Sequence, residues 1–444
     1  MNTHTIDELR QLQSMPLSIK IKMTQNRIRE WIREYGEDGV YISFSGGKDS
    51  TVLLDIVRNG MGLKNIPAVF VNTGLEYPEI VNFIKTFDNV EIIRPEMNFK
   101  QVIKKYGYPI FSKEVAESAN GAKRYLQVLM KNKELSSEDQ EKPPYRYFYD
   151  KVCGQGKYAK VDEVSLANRT RGGGDRKWRK IRGIGEFATK KDVGTEENNK
   201  DLEELAAILN EKMLGKQGGA DQRLAQILGI FSKDKENPIK VDIPEKDRSR
   251  YSTSRYKFLL DAPFEVSNKC CNVMKKNPAH KYSKQTGRMP ITAQMAEESK
   301  LRTQKWLAQG CNAFDNKNPI SNPMSFWTEQ DVLQYIKEYN VPICSVYGDI
   351  VYDMSDECDG QISFFDMGLL PECRKLKTTG ADRTGCMFCL FGIHMEKSPN
   401  RLERMKQTHP KIYEYIMKPV DQGGLGYKEI LDYINTVGGF NIKY

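Results

Sequence analysis

Six consecutive residues, Ser45-Gly46-Gly47-Lys48-Asp49-Ser50, have the composition of an anion-binding turn. Two glycines let a backbone turn sharply and approach an anion closely, and successive N–H groups then form a nest for it. The N-terminus of a following helix adds its partial positive charge. Lys48 can neutralise a phosphate, and the hydroxyls of Ser45 and Ser50 can donate to its oxygens. The Gly-x-x-x-x-Gly-Lys-Ser/Thr spacing is absent, so this is not a Walker A loop. Cysteine supplies the second group of chemical residues. Cys270 and Cys271 are adjacent, and Cys386-Met387-Phe388-Cys389 is a Cys-x-x-Cys. A lone Cys-x-x-Cys is ambiguous among redox, zinc and iron–sulfur use. Four thiolates suit either tetrahedral zinc or a cluster, and vicinal cysteines favour a cluster, whose several irons offer separate docking points. Burial as small hydrophobic side chains is the competing reading. Cys311 is a candidate substitute ligand. Cys153, Cys344, Cys358 and Cys373 show no ligand spacing and read as structural.

The elements that position these residues follow from periodicity. Pro16 to about Glu37 reads as a helix, with Ile21, Ile28, Trp31 and Ile32 on one apolar face. Val40 to Phe44 is a β-rich run closed by Gly46-Gly47, and Asp49 to Arg58 is the next helix. Pro67 to Val71 and Val90 to Ile93 read as strands, with helices over Tyr77 to Phe87 and Phe99 to Tyr106. Strands alternating with helices signal βαβ units and a parallel sheet, in which ligands sit outside the carboxyl ends of the strands. The first two strand ends, Ser45-Gly46-Gly47 and Asn72-Thr73-Gly74, therefore point into one crevice.

From Val115 to Lys257 the pattern degrades into an insertion, helical over Leu202 to Met213 and otherwise flexible. Between Arg169 and Lys191 it holds nine Lys or Arg against two acids, with Trp178 and Phe187 interleaved. The α/β pattern resumes at Pro290-Ile291-Thr292, followed by helices over Glu297 to Ala308 and Glu329 to Tyr339. The remainder is a mixed cap with helices at Asn400 to Thr408, Pro410 to Met417 and Tyr427 to Thr436. The expected organisation is 1–114 for the first part of the nucleotide-binding core, 115–257 for the basic insertion, 258–345 for the rest of the core, and 346–444 for the cysteine-containing cap.

The chain has 444 residues, of which 39% are apolar and 29% charged, so a core is affordable under a very polar surface. The net charge of +9 favours anionic partners, small phosphorylated molecules or nucleic acid, without choosing between them. Solvated surface charge is the plainer alternative. No run reaches the ~18 apolar residues of a membrane span, and Met1 to Gln13 lacks an export signal, so the expected compartment is the cytoplasm. Nine cysteines, an odd number, then argue against a disulfide framework. Four scattered histidines suggest no His-based zinc hydrolase, and there is no Gly-x-Ser-x-Gly elbow.

Ser45 to Ser50, set between a strand and a helix, resembles the PP-loop of ATP pyrophosphatases and of their phosphoadenosine phosphosulfate (PAPS) reductase relatives. Phe70 to Glu79 is similar to that family's second strand end, with Asn72 in place of the usual Asp. Ile291-Thr292-Ala293-Gln294-Met295 resembles its Ile-Thr-Gly-x-Arg strand, with Ala293 and Met295 as departures. Pro323 to Val332 resembles its Pro-x-x-x-Trp-Thr-x-x-Asp-Val segment, where Thr328 and Asp331 form a capping box at a helix start. The resemblance implies an α/β adenine nucleotide alpha hydrolase-like fold, with a Rossmann-like parallel sheet. It implies an adenine nucleotide, ATP or PAPS, at Ser45, Gly46, Gly47, Lys48, Asp49, Ser50, Asn72, Thr73 and Gly74, with Mg2+ accompanying ATP. Lys113 and Ser299 are further candidates for its anionic end, Lys113 alternatively being a solvated helix-start lysine. Lys48, Asp49 and Arg302 are the candidate catalytic groups. Arg302 lies at i,i+3 from Ser299 and also at i,i+4 from Glu298, so a phosphate contact competes with a surface ion pair. Cys270, Cys271, Cys386 and Cys389 resemble the four ligands of a [4Fe–4S] cluster in the adenylylsulfate-using branch, with zinc as the alternative.

Reductases of this family attack sulfur with a cysteine in a C-terminal Glu-Cys-Gly-like tail, whereas here no cysteine follows Cys389. A thiol-dependent reduction needs a thiolate nucleophile. The better match is therefore to members that couple the loop to an iron–sulfur cluster for sulfur transfer, as in DNA phosphorothioation or tRNA thiolation. The expected reaction is adenylylation of a substrate by ATP with pyrophosphate release, then sulfur delivery from a donor protein. The basic, aromatic-interleaved insertion is consistent with a nucleic-acid acceptor, DNA or tRNA. Reduction of PAPS or adenylylsulfate with Cys373 or Cys311 as nucleophile is a second expectation, with an electron donor as partner. A non-catalytic nucleotide-sensing or nucleic-acid-binding module is a third.

Overall fold

The computed structural model describes residues 4–121, 123, 227, 253–353 and 375–444. The basic run from Arg169 to Lys191, the expected helix at Leu202 to Met213, and Cys153, Cys358 and Cys373 lie outside the described residues. The chain divides into two compact units. One comprises Met1–Phe99 and Cys271–Phe388, and the other Lys100–Cys270 and Cys389–Tyr444.

In the first unit, α1 (Ile6–Gln13) and α2 (Leu17–Tyr35) precede β1 (Val40–Ser43), α3 (Lys48–Asp55), β2 (Ala68–Val71), α4 (Pro78–Ile84) and β3 (Val90–Ile93). A fifth helix, α5 (Phe99–Tyr106), and β4 (Ile110–Phe111) carry the chain into the second unit. The first unit resumes with α6 (Asn277–Thr286), β5 (Met289–Ile291), α7 (Lys300–Gln309), β6 (Asn312–Ala313), β7 (Ile320–Ser321), α8 (Glu329–Glu338), β8 (Ile350–Tyr352) and β9 (Leu376–Thr378). Six strands form one sheet in the order β3-β2-β1-β5-β7-β6. All its pairings are parallel except β6 with β7, and Ile42 stands opposite both Ala68 and Ile291. This is a Rossmann-like α/β core. The strand order reverses beside β1, which puts the carboxyl end of that strand at the switch point where such sheets bind ligands.

Alternation along β1 sends Val40, Ile42 and Phe44 into the main core, which holds Ile28 and Trp31 of α2, Val52 and Leu53 of α3, and Trp327. Tyr41 faces the other way. There the buried cluster is small: Tyr41, Val69 and Tyr282, with Ile93 packed against them. Trp327 gives its indole N–H to the Thr24 hydroxyl at 2.8 Å, tying α2 to the turn before α8. Lys20 is only 2% exposed, and its ammonium lies 2.8 and 2.6 Å from the two oxygens of Asp331. That ion pair links α2 to α8.

The expected helix over Glu297 to Ala308 is broken. Ala296–Glu298 is a 3-10 turn, Ser299 is extended at φ −168°, and α7 starts at Lys300. Ser299 is the N-cap and its hydroxyl accepts from the Arg302 amide at 3.3 Å. A side chain that caps its own helix ends the preceding turn and restarts the chain at a new angle, a break that periodicity alone does not reveal.

In the second unit, β4 pairs in parallel with β10 (Leu390–Phe391), and three helices follow: α9 (Arg401–Thr408), α10 (Pro410–Met417) and α11 (Tyr427–Thr436). Phe111, Tyr256, Phe258, His394 and Phe440 pack ring to ring. Among the described residues no helix is long and apolar enough to cross a membrane.

Candidate functional site

The loop between β1 and α3 has the geometry its glycines require. Gly46 has φ +70°, and a Cβ there would lie 2.9 Å from Ile80 and Ile84 side-chain atoms, so α4 packs against bare backbone. The Ser50 hydroxyl accepts from the Ser45 amide at 3.2 Å and donates to the Gly47 carbonyl at 2.9 Å. The Ser45 hydroxyl stands 3.1 Å from that of Ser50 and accepts from the Gly47 amide at 3.3 Å. The two serines therefore hold the turn closed. Lys48 opens α3 with Gly47 as N-cap.

Around this loop is a cavity of about 280 Å³ in the first unit, lined among others by Lys48, Asp49, Thr292, Arg302, Tyr347, Arg383 and Thr384. Lys48 is 4% exposed, and a buried ammonium needs partners. It donates to Glu329 at 2.6 Å and, in a short contact, to the Asp382 carbonyl. Its amide donates to the Tyr347 hydroxyl at 3.3 Å, and that hydroxyl lies 2.5 Å from the Thr384 hydroxyl. Burial pushes the Tyr347 phenol up to about 12, so it stays a neutral donor at the cavity wall.

The carboxylic acid of Asp49 is held above its ordinary range by burial, against the opposing pull of Lys48 and Arg383. Its Oδ1 is buried without a hydrogen-bond partner. Arg302 is shifted down by burial and by neighbouring Arg383. Both guanidiniums approach Glu298: Arg302 in a close ion pair and Arg383 at 3.6 Å. The i,i+4 ion pair and the place in the cavity wall thus coexist for Arg302. The wall carries three cationic side chains: Lys48 paired with Glu329, and Arg302 and Arg383 both paired with Glu298.

Other sequence candidates lie elsewhere. Ser299 caps α7 and is not part of the cavity lining. The Asn72 side chain accepts from the Gly74 amide at 3.0 Å, and the Thr73 hydroxyl donates to Glu76 at 2.8 Å, with Gly74 at φ +74°. These three build the turn after β2 and do not line the loop cavity. Lys113 belongs to the second unit, where it is exposed. Thr328 and Asp331 form the expected capping box, each side chain bonding the other's amide. That box also sets Glu329, the first residue of α8, against Lys48. Tyr347, Glu329, Asp382 and Arg383 were not legible as site residues, because nothing in their local sequence marks them. Only Arg383 carried a hint, as a cation just before the Cys-x-x-Cys.

Cys271 and Cys386 fall in the first unit, and Cys270 and Cys389 in the second. The ammonium of Lys275 lies beside the Cys386 thiol, with Cys271 and Glu76 also near. Among the described residues no three His, Cys, Asp or Glu side chains gather as a metal-binding set. Cys311 is buried in the main core against Trp306, Ser325 and Arg27, and burial raises its thiol, which fits a structural cysteine.

No curated protein matches this sequence. The family model for the phosphoadenosine phosphosulfate reductase domain matches residues 39–141 and 231–390, more than half of the chain. The match takes in the loop, the turn after β2, the strand end at Thr292 and both cysteine pairs; the chain belongs to the phosphoadenosine phosphosulfate reductase family.

Proposed function

We propose that this enzyme binds ATP with its phosphates in the loop cavity and transfers the adenylyl group to an acceptor, as the activating step of a sulfur transfer. The carrying observation is the cavity itself: a PP-loop backbone faced by Lys48, Arg302 and Arg383, with no cysteine lining it among the described residues. Phosphoryl chemistry needs positioning and positive charge, which this wall supplies, whereas thiol attack on a bound sulfate needs a nucleophile at hand.

In this reading an acceptor oxygen attacks the α-phosphorus and the bond to the β-phosphate bridging oxygen breaks. Loop amides and Lys48 hold the departing pyrophosphate. Arg302 and Arg383 neutralise charge that builds on the phosphoryl oxygens, leaving Glu298 as they do so. Asp49, with a buried oxygen and no partner, is the carboxylate suited to Mg2+ arriving with ATP. A hydrosulfide-level donor then displaces AMP, which carries the acceptor oxygen away.

The cluster is a separate part of the proposal. Its ligand set, Cys270, Cys271, Cys386 and Cys389, rests on the resemblance. The described fold gathers no such set, so no step is derived through it. The test is composition: about four irons and four sulfides per anaerobically purified chain support it, and a metal-free chain or a single zinc removes it.

The second reading is reduction of PAPS or adenylylsulfate, favoured by the family alone. It requires Cys311, which is buried in the core, or Cys373, which lies outside the described residues. Cys311→Ser and Cys373→Ser both keeping full activity would exclude that route. The adenylylation reading is tested at the loop by ATP titration of Lys48→Ala and Arg302→Ala. Each is expected to weaken ATP at least about tenfold, the ~1.4 kcal/mol scale of one charge-assisted hydrogen bond. Unchanged affinity in both would overturn it.

A further inference from the structure

Beside the loop cavity lies a much larger basin of about 1180 Å³, also wholly within the first unit. The two share Ser43, Ser45, Thr292, Gln294 and Thr384 as walls, so the basin borders the loop. Its floor is the Tyr41 face of the sheet. Parallel sheets are ordinarily covered on both faces; among the described residues α6 covers part of this one. Met289, Pro290 and Ile320 remain half-buried along the basin.

The walls are cationic. Lys275, Lys276, Lys281, Lys284, Lys305 and Lys317 line the basin, against the single carboxylate of Glu76 among the described residues. Glu76 is itself engaged by Thr73 and Lys275, and Lys281 pairs with Glu96 at 2.8 Å. Lys276, Lys284, Lys305 and Lys317 form no ion pair with a described residue. Four exposed ammonium groups around one depression give it a positive potential that draws anions.

We propose, resting on the adenylylation reading above, that this basin is the acceptor site and that the acceptor is a single strand of nucleic acid. Three features select that class over a small anion or an acidic peptide. Volume is the first: the basin exceeds the ~300–1,000 Å³ of ordinary small-molecule pockets. Second is the charge spacing. Lys276, just before α6, and Lys284 within it stand eight residues apart, about 12 Å along the axis, which spans two steps between phosphates of an extended strand. Lys305 of α7 and Lys317 of the β6–β7 turn line the same basin. The third is amides. Asn277, Gln294, Gln309, Asn316 and Asn318 also line the basin. Carboxamides offer donor and acceptor together, the pattern that base edges present and that an acceptor-only carboxylate matches by half.

The test is fluorescence anisotropy on the full chain with labelled single-stranded DNA and RNA of mixed sequence, over a series of salt concentrations. The triple variant Lys276→Glu/Lys284→Glu/Lys305→Glu is compared with a control of equal charge change on other surfaces, Lys22→Glu/Lys64→Glu/Lys85→Glu. The basin variant is expected to bind at least tenfold more weakly, with the slope of log K against log salt reduced by about 2, three phosphate contacts at ~0.7 each. The control and the arginine triple Lys276→Arg/Lys284→Arg/Lys305→Arg are expected to retain binding. Equal weakening by both glutamate triples, no binding by the native chain, or equally good competition by polyglutamate would each overturn the assignment. ATP affinity is read in the same samples. Loss of ATP binding in the native chain defeats the adenylylation reading and leaves strand binding as a separate result.

Discussion

Gly46 joins fold and chemistry at one Cα. Its φ of +70° and the 2.9 Å clearance to Ile80 and Ile84 leave no room for a methyl group. Gly46→Ala is expected to cost about 1–2 kcal/mol from the left-handed backbone alone, more from the clash, and to weaken nucleotide binding in parallel. Urea denaturation and ATP titration check both, and an unchanged midpoint would contradict this reading of the turn. Asp49 gives a pH signature. Folding favours its protonated form because burial raises its pKa. Its stabilising contribution is full below the ordinary carboxylate range and is lost as pH rises through the raised value. Asp49→Asn is therefore expected to melt higher than the native chain at neutral pH, the gap closing below about pH 4. A constant gap across that range would count against a buried, destabilised carboxylate. At this scale the contiguous loop was legible, since six neighbouring residues carry their own geometry. Tyr347, Glu329 and Arg383 were not, because only the fold brings them to the loop.

Helix starts do much of the positioning. The box of Thr328 and Asp331 begins α8, and the first residue of that helix, Glu329, holds Lys48. Asp331 also satisfies the buried Lys20 of α2, so one carboxylate fixes two helices. Asp331→Ala leaves an ammonium buried without its carboxylate and is expected to cost about 3–5 kcal/mol. Lys20→Met/Asp331→Asn, which removes the stranded charge, should recover a large part of that loss in the same denaturation experiment. Equal destabilisation in both variants would mean that packing, not charge, sets the cost. The strand and helix pattern up to Tyr106 was readable because short β-rich runs and apolar helical faces alternate there. The break at Ser299 was hidden, since a serine inside a helical pattern reads equally as a surface position and as a cap.

Across the whole molecule, the proposed function depends on what surrounds one strand end at the switch point of the sheet. The order β3-β2-β1-β5-β7-β6 sets the glycine loop beside a compact cavity walled by Lys48, Arg302 and Arg383 and beside a lysine-lined basin. Sequence made the first visible through its motif. The second stayed hidden because its lysines come from α6 and the turn before it, from α7 and from the β6–β7 turn, which are neighbours only once the sheet has formed. The most direct measurement gives the anaerobically purified chain ATP and PAPS separately and identifies the nucleotide products, with Lys48→Ala in parallel. AMP and pyrophosphate from ATP, absent in the variant and with PAPS untouched, is the predicted result. PAP and sulfite from PAPS, or ATP bound and returned intact, would contradict the account.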